Sequence, residues 1–427
     1  MSFLDELKWR GLLYQTTGTE ELVQHLASPG RVGYCGFDPT SDSLHIGNFI
    51  PIKLLMHFQR AGHKPVALMG GGTGLIGDPS GRDNERTLQS KEQVEANIAG
   101  QRKVFERFLD FSGSTGAQLV NNNDWLQKLG FIEVLRDVGK HFSVNAMIQR
   151  DSVRTRLENR EQGISYTEFS YMLLQAYDYL HLHRTLGCTL QMSGSDQYGN
   201  VVAGIDLIRR HTQGDKHEAF GITAPLLTKS DGKKFGKSVK GAIWLTADKT
   251  SPYAFYQFWI NSEDADVGSL LRWFTFLPQE EVEGIVSAHE QEPHKREAQR
   301  RLAREMTKLV HGEAELAAAE QASQALFDGE VRKLGESLLD EVFADVPHSE
   351  HDKSGLAGEG RALLDVLVET SLVQSKREAR QFLESGAVSV NGDKADLSRR
   401  LRSEDLLHGK AILLKRGKKN WHVTKWK

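Results

Sequence analysis

The sequence contains very little cysteine and no long apolar run. Its two cysteines, Cys35 and Cys188, both lie in apolar, strand-like segments. Reduced, buried thiols are expected there, which argues against a disulfide or a metal site and favours a reducing compartment. No stretch approaches the roughly 18 apolar residues that cross a bilayer, and the amphipathic start mixes acids with bases. The sequence therefore predicts a cytoplasmic protein with no disulfide and no metal site. No tightly bound cofactor is expected.

The composition is not typical of a disordered chain, and the overall net charge is small. Hydrophobic residues make up 39% of the 427 residues and charged residues 26%, so an ordinary globular protein of two or three domains is expected. The formal net charge is −3, but residues 361–427 contain 15 Lys and Arg against 8 Asp and Glu, a net of +7 that leaves −10 for the rest. A basic tail on an acidic body predicts a polyanionic partner.

The order of strand-like and helical segments predicts the fold. Strands at 32–36, 65–70 and 188–192 alternate with helical stretches, which indicates an α/β, doubly wound, Rossmann-like parallel sheet over residues 1–225. Residues 226–345 are expected to hold a mobile Lys-Phe-Gly-Lys-Ser loop and an α-helical domain. Residues 346–360 are poor in large apolar groups and are interpreted as a linker. Residues 361–427 are expected to form a small basic α+β domain.

Two short segments suggest the two halves of one nucleotide-activating site. The first activation motif, residues 40–48, follows a strand and opens a helix near His45. Free N–H groups and a partial positive charge at a helix start favour a phosphate. Thr40 and His45 can donate hydrogen bonds, and Gly47 leaves room for a nucleotide. The second activation motif, residues 234–238, places Lys234 and Lys237 in a glycine-bearing loop that can close over a leaving pyrophosphate. Each half is weak evidence alone, and together they predict ATP activation.

Two other phosphate motifs fit less well. Residues 72–77 match the dinucleotide fingerprint, which raises the alternative of a dehydrogenase, but Pro79 follows at once and breaks the helix that the fingerprint needs. Residues 232–238 resemble a P-loop but have one residue too few between the glycines.

A substrate pocket is predicted on a helix at 165–183. Tyr171, Gln175 and Asp178 are spaced to form one polar stripe, flanked by apolar residues. Asp196 follows a strand and stands beside glycines, where a carboxylate is well placed to hold ribose hydroxyls.

Taken together, these motifs resemble the class I aminoacyl-tRNA synthetases, although Asn48 stands where their first motif usually has a second His. Segments at 34–40, 74–79, 171–178, 194–197 and 234–238 narrow the resemblance to the bacterial tyrosyl-tRNA synthetase family, over essentially the whole chain. The family implies Mg·ATP and L-tyrosine as substrates, a tyrosine-specific tRNA as partner, and a homodimer. It also places the helical domain on the anticodon side.

The resemblance implies roles for individual residues. Tyrosine contacts fall on Tyr34, Asp78, Tyr171, Gln175, Asp178 and Gln197, with Tyr34 and Asp178 at the phenol. ATP contacts fall on Gly36, Asp38, His45, Gly47, Asn48, Gly194, Asp196 and Lys237. Catalytic stabilisation of the transferring phosphates falls on Thr40, His45, Lys234, Lys237, Arg82 and Arg86.

The basic tail resembles a small ribosomal-protein RNA-binding fold. Lys376, Arg377 and Arg380 share one face of a short helix and are interpreted as phosphate contacts. Two alternatives stay open at this point. One is a tryptophanyl-tRNA synthetase, which shares the fold and both motifs, and the other is a non-catalytic RNA-binding protein on a synthetase-like body.

Overall fold

The computed structural model describes residues 2–80, 87–158, 163–212, 218–228, 230, 232, 235–238, 241–344, 346–417 and 420–427. The chain divides into two compact units, Met1–Val310 and His311–Lys427. None of the helices in these ranges is long and apolar enough to cross a membrane.

In the described part of the first unit, a six-stranded sheet forms the centre. Its strands are β1 (Gln15–Thr16), β2 (Val32–Phe37), β3 (Lys64–Met69), β4 (Gln118–Asn121), β5 (Cys188–Gly194) and β6 (Phe220–Ala224). The spatial order is β1-β6-β5-β2-β3-β4, with β2 to β6 parallel and β1 antiparallel at one edge. This is the strand order of a doubly wound Rossmann-type sheet, which confirms the predicted fold class. A small hairpin, β7 (Lys237–Ser238) and β8 (Gly241–Ala242), lies further along the chain.

Helices surround this sheet and continue after it. They are α1 (Phe3–Arg10), α2 (Thr19–Leu26), α3 (Phe49–Arg60), α4 (Lys91–Phe108), α5 (Asn123–Leu126), α6 (Phe131–Glu133), α7 (Val144–Ile148), α8 (Asp151–Glu158), α9 (Tyr166–Leu186), α10 (Tyr198–His211), α11 (Pro252–Ile260), α12 (Asp264–Phe274), α13 (Gln279–Gln291) and α14 (Glu297–His311). Strand β6 is buried along its whole length, as expected for a strand covered on both faces. Helices α11 to α14 lie in the region that the sequence predicts to be helical, and the second unit begins within that region, at His311.

Local signals define the ends of the helix predicted to line the pocket. The Ser165 side chain caps the start of α9 by accepting a hydrogen bond from the Glu168 backbone N–H, and the helix ends at Gly187 in the left-handed conformation, φ 62°. The helix predicted to open near His45 has a different start. A 3₁₀ turn at Ile46–Asn48 comes first, and the α-helical part begins at Phe49.

The second unit begins with helix α15 (Glu313–Asp328) and contains a five-stranded sheet. Its other helices are α16 (Glu336–Val342), α17 (Leu363–Val368) and α18 (Lys376–Glu384), and its strands are β9 (His348–His351), β10 (Arg361–Ala362), β11 (Val388–Val390), β12 (Asp393–Lys394), β13 (Arg400–Leu401), β14 (Ala411–Arg416) and β15 (Asn420–Trp426). The sheet order is β12-β11-β14-β15-β9. Asn391 and Gly392 both have positive φ, 49° and 97°, and form the turn between β11 and β12.

The prediction of a linker at 346–360 is wrong. Strand β9 lies in this segment and pairs in parallel with β15, and Leu356 is buried in the core of the second unit. The segment has few apolar residues because β9 is an edge strand, so its sequence lacks the pattern of a core strand. Its pairing with β15, which is distant in sequence, makes it a strand.

Candidate active site

The candidate site lies where the sheet order reverses. Strand β2 has β3 on one side and β5 on the other, and crevices of this kind at the carboxyl ends of parallel strands bind ligands. Asp38 follows β2, Asn122 follows β4, and Gly194 ends β5. The fold therefore brings together residues that are far apart in the chain.

A buried polar cluster surrounds the Asp178 carboxylate. The side chain is 2% exposed and accepts hydrogen bonds from Asn122 Nδ2 and Trp125 Nε1, both at 2.8 Å. Burial raises the pKa of Asp178 to about 7, although both hydrogen bonds favour the ionised form. The sequence analysis missed Asn122 and Trp125, because nothing in the local pattern of 121–126 links them to α9.

The hydroxyl group of Tyr34 is buried next to this cluster and has no hydrogen-bond partner among the described residues. Burial and, to a smaller extent, the charge of Asp178 raise the pKa of Tyr34 well above its usual value, so the hydroxyl is a neutral donor and acceptor. The Gln191 Oε1 atom, on the adjacent strand in register with Tyr34, is also buried without a partner in the described chain. Unpaired buried polar atoms are costly, so a polar ligand is expected to complete this pocket.

Asp38 is the centre of a second hydrogen-bond network. Its carboxylate accepts from Tyr171 Oη at 3.0 Å and from Thr73 Oγ1 at 2.9 Å. Asn122 Nδ2 donates to Thr73 Oγ1 at 3.0 Å and so joins Asp38 to the Asp178 cluster. Asp38 is predicted to contact ATP, and Tyr171 is predicted to contact the tyrosine substrate. The hydrogen bond between them therefore links the ATP part of the site to the tyrosine part.

A third group joins the remaining residues predicted to hold the amino acid. Gln197 Nε2 donates to Asp78 Oδ2 at 2.7 Å. Asn200 Nδ2 donates to Gln175 Oε1 at 2.8 Å and to Gln197 Oε1 at 3.0 Å. The sequence analysis did not single out Asn200, which lies on the first turn of α10 and orients both glutamines.

The two ATP-activation motifs meet in space. His45 Nδ1 accepts a hydrogen bond from the Gly47 backbone N–H at 3.0 Å, and Asn48 Oδ1 accepts from the His45 backbone N–H at 3.2 Å. A side chain on Gly236 would lie 3.1 Å from the backbone N of Gly47, so the second motif packs directly on the first. Asn48 therefore has a structural role in this reciprocal cap, which an asparagine fulfils without a charge.

The other predicted nucleotide contacts lie at or just after the carboxyl ends of β2 and β5, or outside the described residues. Gly36, Thr40, Gly47 and Asp196 are exposed at the mouth of the crevice. A side chain on Gly194 would lie 2.6 Å from Asp196 Oδ1, so these two positions are adjacent. The predictions for Arg82, Arg86 and Lys234 fall outside the described residues. For Lys237 the structure describes the backbone, in β7, and not the side chain.

In the second unit, the predicted RNA contacts lie on α18. Ser375 caps this helix, and Lys376, Arg377 and Arg380, called here the α18 basic face, are all exposed. Lys376 Nζ also forms an ion pair with Asp365 at 2.7 Å, which leaves the two arginines as the stronger phosphate candidates.

Comparisons with known proteins cover both units. The family model described as tRNA synthetases class I (W and Y) matches residues 31–328, and the model for the tyrosine--tRNA ligase SYY-like C-terminal domain matches residues 339–424. A tyrosine--tRNA ligase from Roseiflexus castenholzii is 50% identical over 428 residues, 99% of each chain, and one from Geobacillus kaustophilus is 50% identical over 100% of each chain. A C-terminally truncated mitochondrial tyrosyl-tRNA synthetase from Aspergillus nidulans has a TM-score of 0.68 and 32% identity, covering 76% of this chain and 94% of its own. The chain belongs to the tyrosine--tRNA ligase family of the class I tRNA synthetases.

Proposed function

We propose that this chain activates L-tyrosine with ATP, forming tyrosyl-adenylate and pyrophosphate, and then transfers the tyrosyl group to the 3′ end of its cognate tRNA. The observation that carries the proposal is the buried Tyr34 hydroxyl, which has no hydrogen-bond partner in the described part of the chain and lies beside the Asp178 carboxylate. A phenol oxygen can accept from the first and donate to the second. An indole N–H can only donate and a phenyl ring can do neither, so the pair favours tyrosine over tryptophan and phenylalanine.

The activation step needs no nucleophile from the protein. The tyrosine carboxylate oxygen attacks the α-phosphorus of ATP, the new O–P bond forms, and the bond to the β-phosphate breaks with release of pyrophosphate. Asp78, Tyr171 and Gln175 would orient the ammonium group, and Thr40 and His45 would donate to the phosphates. Catalysis in this proposal comes from positioning and from fixed donors aimed at developing charge. Mg²⁺ enters as part of the Mg·ATP substrate, held by the phosphates.

The α18 basic face would contribute tRNA binding through phosphate contacts, and the cytoplasm is the proposed place of the reaction. The free, buried state of Cys35 and Cys188 is consistent with a reducing compartment. The chain is proposed to act as a homodimer. The consecutive apolar residues Phe131 and Ile132, 70% and 72% exposed, support the dimer, because exposed apolar surface of this kind is typical of interfaces. Sedimentation of the wild type and of an Ile132→Glu variant tests this point.

Amino-acid-dependent ATP–pyrophosphate exchange, run with each of the standard amino acids in turn, tests the proposed reaction. We expect exchange with tyrosine and a much lower rate with phenylalanine and tryptophan. Exchange with tryptophan instead would favour the tryptophanyl alternative. No exchange with any amino acid, in a protein that still binds RNA, would favour the non-catalytic alternative.

A further inference from the structure

The segment that carries Thr40 is held by two buried carboxamides of helix α4. Asn97 Nδ2 donates to the Pro39 carbonyl oxygen at 2.8 Å, and Gln101 Nε2 donates to the Ser41 carbonyl oxygen at 2.9 Å. These side chains are 2% and 1% exposed, so both carbonyls point into the protein while Thr40 itself is exposed. The carbonyls of Pro39 and Ser41, the residues before and after Thr40, therefore point away from the mouth of the crevice.

Helix α4 has the geometry that this contact requires. Asn97 and Gln101 are one helical turn apart and share a face. Gly100 lies between them, and any side chain there would collide with the carbonyl oxygen of Asp42. Gln93 Nε2 donates to Asn97 Oδ1 at 2.9 Å, which fixes the amide with its N–H groups toward the Pro39 carbonyl.

The far end of the same segment is fixed from another direction. Lys249 Nζ pairs with Asp42 Oδ1 at 2.8 Å, and the Leu245 backbone N–H donates to the Leu44 carbonyl oxygen at 2.9 Å. These partners come shortly after the second activation motif. The chain from Thr40 toward His45 is thus attached both to α4 and to the segment that follows the Lys-Phe-Gly-Lys-Ser loop.

We propose that Asn97, Gly100 and Gln101 are positioning residues for the activation step, which act through Thr40. The proposal rests on the proposed function. A carbonyl oxygen carries partial negative charge and repels phosphoryl oxygens, so donors that hold the neighbouring carbonyls inward keep that charge away from the phosphates. Without such a donor, the peptide can rotate outward to reach solvent, because a buried carbonyl without a partner is costly. Thr40 would then lose the position from which it donates.

The test compares Asn97→Ala and Gln101→Ala with a matched control, Gln59→Ala. Gln59 Nε2 also donates to two loop carbonyls, those of Asp110 and Thr115, but from the end of α3 near the amino edge of the sheet, away from the site. We expect the two α4 variants to lower kcat for tyrosine-dependent pyrophosphate exchange on the order of 10- to 100-fold, as small misplacements of catalytic groups do, with KM for tyrosine within twofold. The control should keep the wild-type kcat.

A double-mutant cycle with Thr40→Ala separates positioning from a general structural effect. If Asn97 acts through Thr40, adding Asn97→Ala to Thr40→Ala should lower kcat by less than threefold further. Full additivity of the two losses would overturn the proposal, and so would α4 variants with the kcat of the Gln59→Ala control. Gln101→Ala gives the same readout if Asn97→Ala does not fold. Absence of tyrosine-dependent exchange in the wild type would instead refute the proposed function.

Discussion

Replacing Tyr34 by phenylalanine is expected to stabilise the free protein and to lower its selectivity for tyrosine. The Tyr34 hydroxyl is buried without a partner in the described chain, and removing such a group relieves a desolvation cost of about 1 kcal/mol or more. In the complex, the same hydroxyl would donate to the substrate phenol. Losing one neutral hydrogen bond of roughly 0.5–1.5 kcal/mol should reduce the ratio of kcat/KM for tyrosine over phenylalanine by roughly 2- to 12-fold.

The neighbouring Tyr179 provides a matched control. Its replacement is expected to change the stability in the opposite direction and to leave the selectivity unchanged. Its hydroxyl donates to the Phe220 carbonyl oxygen at 2.8 Å and accepts from the Phe220 N–H at 3.1 Å, and its ring packs against Tyr34 at 5.4 Å between centroids. Tyr179→Phe removes the same atom from the same core but leaves two backbone groups without this partner. We expect it to destabilise the protein by about 1–3 kcal/mol and to leave amino-acid selectivity unchanged.

Pyrophosphate exchange with tyrosine and with phenylalanine measures the selectivity, and calorimetric unfolding without substrate measures the stability. The informative result is that Tyr34→Phe raises the stability of the free protein while Tyr179→Phe lowers it. If Tyr34→Phe destabilises the free protein and keeps the wild-type selectivity, its hydroxyl is a structural group and the pocket assignment is wrong.

Three further predictions concern Asp178, the two activation residues Thr40 and His45, and the α18 basic face. Because burial raises the pKa of Asp178 to about 7, its contribution to folding stability without tyrosine is present below about pH 4 and is lost as the pH rises through 7. The ionised carboxylate accepts the hydrogen bond of the substrate phenol, so KM for tyrosine should fall about tenfold from pH 6 to pH 8, and Asp178→Asn should abolish this dependence. Thr40→Ala and His45→Ala should each slow adenylate formation on the order of 100-fold with little change in tyrosine affinity. If the single-turnover rate and the tyrosine affinity measured by equilibrium dialysis fall by the same factor, the two residues have a structural role. Neutralising the α18 basic face should raise KM for tRNA and reduce the log–log salt dependence by about one unit per lost phosphate contact, without affecting pyrophosphate exchange.

Much of the candidate site could be predicted from the sequence because its chemistry lies in short motifs. The stripe of Tyr171 and Asp178 follows from helical periodicity, and α9 presents both to one buried region. Asn122 and Trp125 could not be found in this way, because their role depends on β4 lying close to α9. The role of Asn48 could not be predicted either, since only the geometry of the turn reveals the cap that it forms with His45.

The sequence by itself determined the class of sheet, the two activation motifs and the basic character of the tail, because hydrophobic periodicity, turn chemistry and charge are local properties of the chain. The tertiary structure alone decided which distant groups meet. It paired Tyr34 on β2 with Gln191 on β5, brought Gly236 against Gly47, and made β9 a strand rather than a linker. These contacts arise from strand pairing and close packing between elements remote in sequence, and no local pattern encodes such pairings.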